Sequence, residues 1–143
     1  ETQTSPWLAK NVGTLETKGF ELEANHQINN WLGYSFGYTY LENQHLDDKI
    51  ASRYSLDNLK HQFVAKLKNN YKGLVNELIY RYNERVNLGS YNLLDDKISY
   101  QFKNFNVYLL VNNITNTNYV ETSLVPMPRR WFHAGFTYKF NFK

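Results

Sequence analysis

The stretch Trp131-Phe132-His133-Ala134-Gly135-Phe136-Thr137-Tyr138-Lys139-Phe140-Asn141-Phe142 alternates without interruption. Phe132, Ala134, Phe136, Tyr138, Phe140 and Phe142 share one side; Trp131, His133, Gly135, Thr137, Lys139 and Asn141 share the other. Side chains on a β-strand change face at every residue, so this is one long strand with an apolar face and a polar face. The same design recurs upstream. Phe20, Leu22, Ala24 and His26 alternate with Glu21, Glu23, Asn25 and Gln27, in a strand that develops from about Val12. Further strands are predicted over Trp31–Glu42, Lys60–Asn69, Leu74–Asn83, Tyr91–Phe102 and Phe105–Asn112.

Seven antiparallel strands of about 10–12 residues result, against a globular mean of about 5–6 and the about 9–11 that a tilted transmembrane strand needs. Connections are predicted to alternate: short turns at 29–30, 70–73 and 103–104, longer loops at 43–59, 84–90 and 113–130. All short turns then lie at one end of the sheet. Outer-membrane barrels are built this way, with short periplasmic turns and longer extracellular loops, which puts the C-terminus on the periplasmic side. On the apolar face Tyr40, Tyr82 and Phe132 sit near the loops, and Phe102, Phe105, Phe140 and Phe142 near the turns. Two such belts match the two membrane–water interfaces. The predicted fold is therefore all-β, a segment of a transmembrane β-barrel. A soluble β-sandwich is the rival, but its strands are shorter.

Composition agrees. Of 143 residues 17% are aromatic, with a net charge of +3 and no cysteine. That excludes disulfides and thiolate chemistry, and no dense Lys/Arg cluster points to nucleic acid. Mean hydropathy of −0.62 does not argue against a barrel, because lumen-facing residues lower the average. Seven is an odd number and an open sheet edge in lipid leaves backbone groups unsatisfied, so either an eighth strand lies in Glu1–Val12 or the chain is part of a larger barrel.

The residues also resemble a family. Asn112-Asn113-Ile114-Thr115-Asn116, Tyr119, Pro126-Met127-Pro128-Arg129-Arg130 and Gly135-Phe136-Thr137-Tyr138-Lys139-Phe140 resemble the end of TonB-dependent outer-membrane receptors. Upstream, Asn11-Val12-Gly13 with Lys18-Gly19-Phe20-Glu21, then Tyr38-Thr39-Tyr40, His61-Gln62-Phe63 and Tyr91-Asn92-Leu93-Leu94-Asp95, fit as well. The resemblance covers about residues 11–142. It departs at Arg129, where the family has Gly, and at the terminal Lys143 in place of an aromatic. The implied intact protein is a plugged barrel of the 22-stranded type in the bacterial outer membrane, importing a scarce nutrient of the cobalamin or ferric-siderophore class. Residues 1–143 would be its C-terminal part, without the plug and the earlier strands. Implied partners are outer-membrane lipid, a small nutrient ligand, the barrel assembly machinery, and TonB through the missing N-terminal part. No enzymatic activity and no cofactor are implied, nor any nucleic acid. A complete eight-stranded barrel acting as an adhesin or lipid enzyme, and a soluble lipocalin-like binder, are the alternatives.

Glu21, Glu23, Glu77, Arg81, Asp95 and Lys97 fall on the polar side, expected to face the lumen and a plug, and more simply to form an ion-pair ladder on the wall. Asp96 falls on the apolar side and is expected near the outer end of its strand. Arg53, Tyr54 and Tyr91, in or beside the longer loops, are candidate ligand contacts, as is Trp7. The family ending contributes Asn113, Tyr119, Pro126, Pro128, Arg130, Gly135, Tyr138 and Phe140. The four histidines have no ligand spacing and no metal site is expected; Asp47-Asp48 reads as solvated loop.

Overall fold

The computed structural model describes residues 15–45, 58–122 and 125–140. Seven strands form one antiparallel sheet: β1 (Leu15–Gln27), β2 (Leu32–His45), β3 (Leu59–Tyr71), β4 (Leu74–Arg85), β5 (Gly89–Phe102), β6 (Phe105–Asn112) and β9 (Trp131–Tyr138). Their order is β1-β2-β3-β4-β5-β6-β9, and a small separate hairpin, β7 (Val120–Thr122) with β8 (Val125–Pro126), sits in the last connection. Strands β1 to β5 run 12 to 14 residues. Successive strands of the sheet pair with each other, so among the described residues it is a meander with β1 and β9 at its edges.

Register makes the two faces continuous. Leu22 lies opposite Tyr38, Tyr38 opposite Phe63, Phe63 opposite Tyr82. Farther along, Tyr100 lies opposite Val107, and Val107 opposite Phe136. Residues opposite each other in an antiparallel pair point to the same face, so the apolar sides of all seven strands join into one surface. Nothing among the described residues covers it: Phe20, Leu22, Leu74, Ile98, Phe102 and Phe132 are exposed, and Phe136 reaches 71%. A soluble sandwich buries this face against a second sheet. Here the buried apolar residues are Tyr91 and Leu93, on the opposite face. Rings cluster at both ends of the open surface: Phe20, Tyr38, Tyr40 and His61 toward the loops, and Phe105, Phe136, Tyr138 and Phe140 toward the turns.

The tight connections follow from local chemistry. Lys72 and Gly73 take φ of 49° and 85°, the doubly left-handed pattern that suits a two-residue hairpin. The β1–β2 turn is built differently. Asn29 is not left-handed; its side-chain oxygen accepts from the backbone N–H groups of Trp31 and Leu32, both at 2.9 Å. That is an Asx-type turn.

Four expectations are corrected. The predicted loop at 84–90 shrinks to 86–88, because β4 and β5 continue pairing to Arg85 opposite Gly89, and left-handed Asn87 and Gly89 close the turn. The alternation of short and long connections is therefore not strict. The final strand ends at Tyr138 rather than Phe142, which lies outside the described residues. The connection 113–130 does not simply stand above the sheet: it carries β7 and β8 and folds onto the polar face. Asp96 is in mid-β5, opposite Leu78 and Val111, on the apolar face. Since Val111 is the penultimate residue of β6, the β4–β5 hairpin rises past β6, though not past β3, which pairs up to Arg85, and mid-β5 is level with the loop end of β6. The Asn76 side-chain amide donates to the Asp96 carboxylate, which offsets part of its desolvation.

Candidate functional site

On the polar face, β4 and β5 carry Arg81, Asn83 and Arg85 beside Tyr91, Leu93 and Asp95. Register brings Asp95 opposite Ile79, Leu93 opposite Arg81 and Tyr91 opposite Asn83. Arg81 and Asp95 form an ion pair and a hydrogen bond through Nη2 and Oδ2. The second Asp95 oxygen accepts from the backbone N–H of Asn113 at 2.8 Å. Asp95 and Asn113 are 4% and 3% exposed, so this is a buried junction where the chain leaves β6.

Asn113 then sets the path of the loop. It is left-handed, with φ of 51°. Its Oδ1 accepts from the Thr117 N–H at 2.9 Å, and its Nδ2 donates to the Thr117 carbonyl at 2.9 Å. Asn closes such a turn because its short amide reaches backbone groups of both polarities and tolerates left-handed φ. Asn116 adds a second left-handed residue, and its side-chain oxygen accepts from the Arg130 N–H at 3.2 Å, tying the two ends of the loop together.

This path lays Tyr119 on Tyr91, ring centroids 4.6 Å apart. The Tyr91 hydroxyl donates to Glu121 at 2.9 Å, and Arg85 stands 3.9 Å from the same carboxylate. Burial pushes the Tyr119 phenol above its ordinary range, the negative charges of Glu121 and Asp95 push the same way, and Arg81 opposes them. The result is a latch: Arg81, Asp95, Asn113, Tyr119, Tyr91 and Glu121 hold the loop on the polar face. Beside it a cleft of about 300 Å³ opens between Leu88, Ser90, Tyr91, Tyr119, Val120 and Met127. The site offers aromatic surface and fixed charge suited to holding a chain segment or a ligand, and no nucleophile paired to a base.

The predicted residues divide accordingly. Arg81, Asp95, Asn113, Tyr119 and Tyr91 converge. Tyr91 is not exposed, as a loop aromatic would be: it is 7% accessible, because Tyr119 covers it. Glu77 pairs with Lys68 at 3.3 Å rather than with Lys97 opposite it; the Lys97 ammonium lies over the Tyr108 ring, 5.7 Å from its centroid. Glu21 and Glu23 are exposed, with Glu23 accepting from Asn25 at 3.4 Å, so the expected ladder is partial. Of the family ending, Pro126 lies in β8 opposite Val120 and Gly135 lies directly beneath Tyr108. Pro128 and Arg130 are exposed, and Tyr138 and Phe140 stack edge-on at the turn end, 4.7 Å apart. Arg53, Tyr54, Trp7, Asp47 and Asp48 lie outside the described residues. The sequence reading missed Asn83, Arg85 and Glu121. Arg85 continues the Arg81–Asn83 alternation and was readable from it; Glu121 sits in an aperiodic stretch that gave no signal.

No helix among the described residues is long and apolar enough to cross a membrane, which leaves crossing by strands open. An open meander of long strands, apolar and exposed on one face, charged and loop-covered on the other, defines a wall of an outer-membrane β-barrel. The TonB-dependent receptor-like β-barrel family model matches residues 1–114, and the chain belongs to that family. Its members are outer-membrane transporters that work with TonB, and the soluble-binder alternative falls with this assignment. The match ends before most of the latch loop. No curated protein matches the chain.

Proposed function

We propose that this chain forms the C-terminal wall of a TonB-dependent importer for a scarce nutrient of the cobalamin or ferric-siderophore class. The carrying observation is the division of one sheet into an apolar face left uncovered among the described residues and a polar face against which a loop is pinned. The apolar face meets lipid. The polar face lines the lumen, where Glu21, Glu23, Glu77, Arg81, Asp95 and Lys97 face a plug domain and the ligand path. The cleft beside Tyr91 and Tyr119 lies at the loop end, where a ligand enters, and Arg53 and Tyr54, between β2 and β3 in the sequence, are further candidate ligand contacts. The turns and the C-terminus face the periplasm, and the aromatic strand end is read by the barrel assembly machinery. Because the unpaired edges of β1 and β9 need partners in lipid, further strands close the barrel.

The test is nutrient-limited growth of cells with and without the gene, on cobalamin or on ferric siderophores as the sole source. Loss of growth on one of them, in TonB-positive cells only, is expected. Unchanged uptake of both, or uptake independent of TonB, overturns the reading.

A further inference from the structure

The two tightest turns at the end of the sheet remote from the latch share one design. Tyr71-Lys72-Gly73 joins β3 to β4, and Phe102-Lys103-Asn104 joins β5 to β6. In each, the last strand residue is an exposed ring on the apolar face, and the next is a lysine in the left-handed region, at φ of 49° and 47°. Lysine takes that conformation at a cost that Gly or Asn avoids. Each ammonium leans over the ring before it, 5.3 Å from the Tyr71 centroid and 5.5 Å from that of Phe102.

Backbone bonds fix the spacing. Gln101 donates to the Gly73 carbonyl at 2.9 Å, and Lys139 donates to the Asn104 carbonyl at 2.8 Å. Lys72 and Lys103 therefore stand along one rim, separated by two strand spacings, about 10 Å, while Lys139 beside them falls on the polar face. Ion pairs among the described residues engage other cations: Lys18, Lys60, Lys68, Arg81 and Arg85. A row of ammonium groups directly beyond a belt of exposed rings sits at the depth of lipid phosphates, with the rings at the acyl boundary.

We infer that this rim is a binding surface for anionic phospholipid headgroups, with Lys72 and Lys103 as the phosphate contacts. The inference rests on the apolar face meeting lipid. Lipid A carries the same phosphate chemistry, but it belongs to the opposite leaflet, at the loop end.

Native mass spectrometry of the protein, titrated in detergent with phosphatidylglycerol, phosphatidylcholine or lipid A, tests it. Phosphatidylglycerol is expected to be retained over phosphatidylcholine by about fivefold per lysine engaged. The combined variant Lys72→Gln and Lys103→Gln abolishes that preference, while Arg129→Gln with Arg130→Gln leaves it. Equal retention of the two phospholipids, a preference indifferent to the two lysines, or a lysine dependence seen for lipid A alone overturns the inference. A spin label at Ile98→Cys, read for oxygen access in a bilayer, separates the failures. No oxygen access there means the lipid-facing reading itself has failed. Access without headgroup preference defeats only the rim inference.

Discussion

Asp95 is the residue whose loss tests the latch most sharply. One carboxylate oxygen holds Arg81 and the other accepts the Asn113 N–H. Asp95→Ala leaves that buried N–H without its partner, at about 1–3 kcal/mol. It also strips Arg81 of its counterion. That side chain is 36% exposed, so the loss is closer to the about 1 kcal/mol of a surface pair than to the 3–5 of a buried one. The total expected is about 2–4 kcal/mol of stability. Asp95→Asn retains an acceptor for Asn113 and costs about 1 kcal/mol. Arg81→Met combined with Asp95→Ala costs less than the sum of the single changes, since no uncompensated charge remains. Urea unfolding in detergent micelles, followed by tryptophan fluorescence, measures the stability. Tryptic cleavage after Arg129 and Arg130 reports whether the loop has left the wall. An Asp95→Ala protein within about 0.5 kcal/mol of the parent, with unchanged cleavage, refutes the reasoning.

Other substitutions probe the sheet. A Cβ at position 19 would lie 2.1 Å from the Tyr40 carbonyl oxygen, a backbone atom that cannot swing aside; Gly19→Ala is expected to break β1–β2 pairing there and lower folding yield, read by heat-modifiable migration on gels. At Gly135 the obstacle is the Tyr108 ring, its hydroxyl at 2.6 Å, so Gly135→Ala should be destabilising and largely rescued by Tyr108→Ala in the same unfolding assay. Phe136→Arg, on the exposed apolar face toward the turn end, is expected to cost about 1 kcal/mol, short of the about 2–4 of a midplane site, and Thr137→Arg on the polar face less still, both read in the same unfolding assay. The raised Tyr119 phenol keeps its proton in the folded state beyond the ordinary value of 10.0. Its contribution is complete below that value and is lost as pH rises through the folded one. Tyr119→Phe should therefore flatten part of the alkaline fall in stability above pH 10.0.

Strands were legible because each carries its own alternation, a purely local signal. Cross-strand register then follows from aligning apolar faces, since a one-residue slip would turn Tyr38 or Phe63 to the polar side. Most of the missed features depend on contacts distant in sequence. Residues 84–90 read as a loop because Glu84, Arg85 and Asn87 are polar, yet Arg85 and Gly89 still pair. Tyr91 read as exposed because nothing nearby in sequence covers it; Tyr119 does. Asp96 breaks the pattern of its strand, and its tolerance rests on Asn76, a partner across the β4–β5 pair. The family ending pointed to Asn113 and Tyr119 without saying what they do. Asn113 turns the chain inward onto Asp95, and Tyr119 caps Tyr91.

The central claim is that Phe136, Tyr80 and Phe20 face lipid while Thr137, Arg81 and Glu21 face the lumen. The chain has no cysteine, so single Cys substitutions at these six positions can be spin-labelled in the bilayer-reconstituted protein. Access to dissolved oxygen at the first three and to a water-soluble nickel complex at the second three, alternating residue by residue, is the predicted result. Protection of Phe136, Tyr80 and Phe20 from both reagents, as in a packed core, would contradict it.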